Sequence, residues 1–105
     1  MATNRLEILQ QMVQQDPKNS FARYGLAMEC AATGNLDEAV AEYRALIAND
    51  PSYVAAYFHG GQALEKLGRV EDAKTVYEAG IAAAAAKGDG HTQAEIQAAL
   101  DLLPV

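Results

Sequence analysis

Residues 34–51 read GNLDEAVAEYRALIANDP, and residues 68–85 read GRVEDAKTVYEAGIAAAA. Laid over one another at an offset of 34 residues, Gly34 meets Gly68, Ala39 meets Ala73 and Tyr43 meets Tyr77. Ala45, Ile47 and Ala48 return as Ala79, Ile81 and Ala82; Leu36, Asp37 and Glu38 return as Val70, Glu71 and Asp72. The register extends upstream, where Asp16-Pro17 recurs as Asp50-Pro51 and Ala22 as Ala56. A fixed period of about 20–50 residues marks stacked copies of one supersecondary unit. Alanine content alone would produce some of these matches, but not the Gly, Tyr and acidic pairs in one register.

Within this frame the apolar spacing is helical throughout, and no segment alternates as a strand does. The spacing predicts helices over 4–15, 19–33, 37–49, 53–67, 71–86 and 91–103. In the first, Leu6, Leu9, Met12 and Val13 share a stripe, with Thr3 or Asn4 as the cap. Pro17 disfavours helix at Asp16 and closes it. Asn19 or Ser20 caps the second, and Gly34 stands where a left-handed C-terminal turn requires Gly. Asp37 and Glu38 suit the positive N-terminal end of the third, whose inner face is Val40, Tyr43, Leu46 and Ile47. Pro51 and Ser52 open the fourth and Gly68 closes it. The fifth turns Ala73, Val76, Tyr77 and Ile81 inward and runs into Ala82–Ala86, since Ala has the highest helix propensity. Lys87-Gly88-Asp89-Gly90 breaks it, and Ile96, Leu100 and Leu103 mark the sixth. Gaps of two to four residues make consecutive helices antiparallel neighbours.

The whole chain has 105 residues, enough for one domain. Half is hydrophobic, with only five Tyr and two Phe, so Ala, Leu, Ile and Val supply most of the core. Fourteen acidic against eight basic residues give a formal charge of −6. An acidic domain without a basic cluster is a poor ligand for phosphates, so no nucleic-acid partner is expected. The same sign argues against an anionic membrane. Residues 1–10 lack the apolar centre of a secretion signal. The longest apolar run, 79–86, falls far short of the ~20 residues that span a bilayer. A lone Cys30 excludes an internal disulfide and fits a reducing compartment. The expected location is the cytoplasm.

Helix, Gly turn, helix and Asp-Pro turn at this period resemble the tetratricopeptide repeat family, in its small bacterial-type form. Tyr57 matches the family's large residue early in the first helix, where Arg23 departs. Leu26-Ala27 matches the Leu-small pair, and Gly60-Gly61 keeps only the small residue. Leu64 matches the next large residue, with Cys30 a smaller counterpart. Gly34 and Gly68 match the turn glycine. Ala39 and Ala73 match the small residue of the second helix, and Tyr43 and Tyr77 the aromatic that follows. At the next small position Gly80 fits and Leu46 departs in size. Pro17 and Pro51 match the closing proline, for which Ala85 stands in. The resemblance implies an all-α fold of antiparallel helix-turn-helix repeats, an α-solenoid of about six helices. Residues 1–17 become a half-repeat helix, 18–51 and 52–85 two repeats, and 86–105 a turn and capping helix. Small residues at Ala27, Gly61, Ala39 and Ala73 would let helix backbones approach, with Tyr43 and Tyr77 filling the space beside them.

Catalytic chemistry finds little support. His59 and His91 lie on different helices with no Cys or carboxylate at metal-ligand spacing, so neither is a ligand and no metal is expected. His59 reads as a groove-edge residue and His91 as the start of the last helix. Cys30 reads as a small buried hydrophobe. Gly88-Asp89-Gly90 follows no strand and lacks the Lys-Ser/Thr of a phosphate loop. Glu38, Glu71 and Asp72 serve helix N-termini. No enzyme activity and no cofactor are expected.

What the resemblance implies instead is a concave groove lined by the first helix of each pair. It places Phe21, Tyr24 and Met28 there from one repeat and Ala55, Phe58 and Gln62 from the next, with Ala31 and Glu65 one turn farther along. Some members of the family clamp the acidic tails of heat-shock chaperones with Lys, Arg and Asn. Tyr24, Met28, Phe58 and Gln62 replace that clamp here, so a carboxylate is not the expected ligand. An apolar peptide or amphipathic helix of another protein suits this lining better. The alternatives are that the end helices cover Tyr24 and Phe58, and that the chain is a self-associating module pairing through them. Arg5, Glu7, Gln10, Gln11 and Gln14 lie outside the first helix's stripe, so a monomer is expected over a homodimer. The last helix, with only Glu95 and Asp101, leaves pairing open.

Overall fold

The computed structural model describes residues 4–104. Its six helices are α1 (Arg5–Gln15), α2 (Ser20–Ala32), α3 (Leu36–Asn49), α4 (Val54–Lys66), α5 (Val70–Lys87) and α6 (Gly90–Asp101). No strand occurs among the described residues. The fold is the expected all-α helical repeat, with helix ends displaced by one or two residues.

Local chemistry sets those ends. Asn4 accepts a hydrogen bond from the Glu7 amide at 2.8 Å, and Asn19 from the Ala22 amide at 3.0 Å. Each satisfies a donor that the first helical turn leaves without a partner. Thr3, the other candidate cap of α1, lies outside the described residues. Ser20 reaches across instead, donating to Asp50 at 3.0 Å, and so ties the two Asp-Pro turns together. Gly34 and Gly68 end α2 and α4 at φ +87° and +78°, a region open to Gly at little cost. With no proline at position 85, α5 runs on to Lys87 and stops at Gly88, where φ is +76°. Asp89 then caps α6, accepting from the Thr92 amide at 3.1 Å.

Each helix packs on the next in sequence. In addition the backbones of α2 and α4, and of α4 and α6, come close, whereas α3 and α5 meet only through side chains, at the Arg44–Asp72 ion pair of 3.9 Å. Helices closer on one side than on the other bend the stack, so α2, α4 and α6 form its inner, concave row. Tyr43, Tyr77, Leu46, Leu64 and Ile96 are fully buried between the rows. Close approach at glycine makes room for the rings. A Cβ on Gly60 would lie 3.2 Å from Tyr43 Cβ, and one on Gly61 would lie 2.1 Å from Tyr77 Cε1. Ala27, Ala39 and Ala73 are likewise inaccessible to solvent.

Candidate functional site

The inner row carries three adjoining clefts. The first, about 600 Å³, runs between α1 and α2 and is lined by Phe21, Tyr24 and Met28 facing Ile8, Leu9 and Met12. The second, about 220 Å³, lies between α2 and α4, where Met28 and Ala31 meet His59, Gln62 and Lys66. The third, about 410 Å³, lies between α4 and α6, where Phe58, Gln62 and Glu65 meet Glu95, Ala98 and Leu102. Met28 is shared by the first two and Gln62 by the last two, so the clefts form one surface.

Of the residues expected in the groove, Phe21 is the most exposed at 76%, and Met28 and Gln62 are also exposed. Tyr24, Phe58, Glu65, Ala31 and Ala55 are half-buried. Ala55 lines none of the three clefts. Helices α1 and α6 wall the clefts in which Tyr24 and Phe58 lie.

Tyr24 is the centre of an aromatic cluster. Its ring lies 5.2 Å from Tyr53, 5.9 Å from His59 and 6.4 Å from Tyr43, centroid to centroid, and Phe58 stands 5.2 Å from His59. These separations are in the range where edge-to-face and offset rings attract. Burial pushes the Tyr24 phenol above its usual value, with Tyr53 adding to the effect. Burial likewise holds the His59 imidazole below 6.5, against the opposing pull of its Gln62 hydrogen bond and of Glu95. His59 is therefore neutral at pH 7, a weakly polar element in an aromatic wall.

Two buried phenols point towards this surface and find different acceptors. Tyr43 donates to the Met28 thioether at 3.0 Å, and Tyr77 donates to Glu65. Glu65 is thus held from beneath by the core. Cys30 lies on the other side of α2. Its thiol is pushed up to about 11 by burial first, then by Glu38, Glu42 and Glu29, and is protonated at pH 7. Among the described residues no three His, Cys, Asp or Glu side chains converge to hold a metal ion. No helix of the described residues is long and apolar enough to cross a membrane.

Sequence reasoning did not assign Tyr53, Lys66 or Leu102 to this face, nor Ile8 to the first cleft. Ile8 stands one turn before Met12, a spacing that signals a shared face. No signal in the sequence pairs Tyr24 with His59, which is 35 positions away.

Family models described as TPR repeat and tetratricopeptide repeat match residues 29–68 and 54–87. A tetratricopeptide repeat domain protein from Salinibacter ruber, solved in solution, is 38% identical, with 81% of this chain and 86% of that chain covered and a TM-score of 0.76. A TPR repeat-containing protein of Pseudomonas aeruginosa is 28% identical over 91 residues, which are 87% of each chain. The structure of PcrH in complex with the chaperone binding region of PopD reaches a TM-score of 0.86 at 22% identity, covering 91% of this chain and 73% of that chain. At that identity the likeness concerns the fold alone.

Proposed function

This chain belongs to the tetratricopeptide repeat family, whose members are in general non-enzymatic protein-interaction modules, and from that premise we propose an adaptor that holds an apolar peptide or amphipathic helix of another protein against the concave row α2, α4 and α6. The observation that carries this reading is the succession of Phe21, Tyr24, Met28 and Phe58 along adjoining clefts on that row. Aromatic side chains lose little conformational freedom on binding and supply much of the energy at interfaces. Tyr24 is braced by Tyr43 and Tyr53 and is a preorganised anchor. PcrH, of the same fold, was solved with a segment of PopD, a precedent for this scaffold holding part of another protein.

In this reading Glu65 and Glu95 border the third cleft and favour a ligand without carboxylates there. Residues 18–51 and 52–85 act as the two repeats, 1–17 as the preceding half-repeat and 86–105 as turn and cap. The adaptor works in the cytoplasm without a cofactor, and nucleic acid and membranes are not its ligands.

The test is affinity capture from a lysate of the source organism, using wild type beside a Tyr24→Ala/Phe58→Ala double variant of unchanged helicity. A protein retained by wild type and lost by the double variant supports the groove. Recovery of the same proteins by both moves the binding face elsewhere, and loss of helicity in the variant makes the two rings core.

A further inference from the structure

We propose that the chain pairs with a second copy of itself across the cleft between α1 and α2, about a twofold axis that passes between Ile8 and Met12. Five large apolar side chains are exposed among the described residues, and four of them, Ile8, Met12, Phe21 and Met28, line this one cleft. The internal period explains why. At the 34-residue offset Met12 corresponds to Leu46 and Leu9 to Tyr43. Leu46 and Tyr43 are covered because α3 lies between α2 and α4, whereas α1 packs on α2 alone. The face of α1 thus has the composition of a core face while Met12 stays 38% and Ile8 45% exposed. Helical repeats need a neighbour on each apolar side.

The other end of the stack is different. Outward side chains of α6 include His91, Gln97 and Asp101, and Gln97 donates to Asp101 at 2.9 Å. Only Leu102 is a large exposed hydrophobe there. The end that invites a neighbour is therefore the α1 end.

A second copy fits because the α1 face is self-complementary when run antiparallel. With the axis midway between them, Ile8 faces Met12 of the second copy and Met12 faces its Ile8. Arg5, 73% exposed and bridged on one side to Glu29 at 3.3 Å, then faces Gln15 and Asp16 of the second copy. Arg5 is the one charged side chain lining the cleft, so no like charges meet in it. Phe21 lies at the Met12 end of the cleft, so the dyad carries it to the Arg5 end of the second copy, where a ring and a guanidinium attract. Such an interface uses the same patch twice and closes at two copies.

The test is mass in solution by sedimentation or light scattering over a dilution series of the 105-residue chain. Wild type is expected at twice 11.2 kDa when concentrated and at 11.2 kDa when dilute. Ile8→Glu is expected to stay at 11.2 kDa with unchanged helicity, and Leu102→Glu to pair as wild type does. Arg5→Glu should weaken pairing at least tenfold, and Arg5→Glu/Asp16→Arg should restore it, because the exchanged pair is still self-complementary. A wild type that is monomeric at every concentration overturns the proposal. So does pairing that survives Ile8→Glu, is lost in Leu102→Glu, or is not recovered by the charge exchange. Should Ile8→Glu unfold, the two charge variants decide. The first cleft is common to the partner groove and to this pairing, but Ile8 lines only that cleft and Phe58 only the third, so loss of pairing in Ile8→Glu is distinct from loss of a partner in Phe58→Ala.

Discussion

Tyr57 donates its phenol hydrogen to the carbonyl of Pro51 at 2.7 Å, tying the start of α4 to the turn that precedes it. Thirty-four residues earlier, Arg23 donates from Nη2 to the carbonyl of Pro17 at 3.1 Å. An Arg and a Tyr thus fill the same place and reach the same backbone atom. Arg23 adds an ion pair to Glu42 at 2.6 Å, while its Nε is buried without a partner.

Arg23→Ala removes both bonds and is expected to cost about 1.5–3 kcal/mol, the range for hydrogen bonds to charged groups. Tyr57→Phe removes one neutral bond and should cost about 0.5–1.5 kcal/mol. Arg23→Tyr installs the residue of the second unit and removes the unpartnered Nε, so it should lose less than Arg23→Ala. Urea denaturation of the three variants gives the order, and an Arg23→Ala midpoint equal to that of wild type would falsify the account.

Three glycines should respond to alanine in three ways. At Gly61 the new Cβ would lie 2.1 Å from the ring of Tyr77, which is buried and bonded to Glu65. Overpacking of about 1–3 kcal/mol outweighs a helix-propensity gain of about 1 kcal/mol, so Gly61→Ala destabilises. At Gly34 nothing lies within 4 Å, and the left-handed backbone alone sets a loss of about 1–2 kcal/mol. At Gly25 the neighbour is Leu9 Cδ2 at 3.1 Å, the end of a flexible chain, and Gly25→Ala should be neutral or stabilising. Thermal midpoints that rank these otherwise would refute the packing argument.

Burial and the surrounding carboxylates keep the Cys30 thiol protonated at pH 7, and the thiolate is the reactive form. A thiol reagent should modify the native chain far more slowly than the chain in urea. Comparable rates in both would mean that α2 opens readily.

His59 carries the pH dependence of the inner row. Its folded value lies below the unfolded 6.5, so between the two the unfolded chain holds more protons. Stability then rises with pH through that window and falls as the pH drops below 6.5. His59→Gln should flatten this part of a stability–pH curve. A wild-type curve that rises on acidification through the window would contradict the placement of His59 among Tyr24 and Phe58.

What could be read without coordinates depended on local interactions. Asn4 and Asn19 cap helices three residues away, and Gly34 and Gly68 take the left-handed turns their positions require. The inward stripe of α3 follows from its own period: Val40, Tyr43 and Leu46 are buried. The apolar character of the α1 end was harder to see. Ile8 is not one of the expected stripe of Leu6, Leu9, Met12 and Val13, and whether its side of α1 is covered depends on which helices flank α1.

By itself the sequence determined six helices, their turns and their order, because caps, left-handed glycines and helical periodicity act over a few residues. The 34-residue register also showed which side chains pack between units, since identical units stack in identical ways. Only the tertiary structure decided that α6 joins α2 and α4 on the inner row, that Tyr24 meets His59 and Tyr53 there, and that Ile8, Met12, Phe21 and Met28 share one exposed cleft. The physical reason is distance along the chain. These contacts join residues on different helices; the small residues Gly61 and Gly80 marked places of close approach, but how near the helices come and which rings meet there is set by the packed structure.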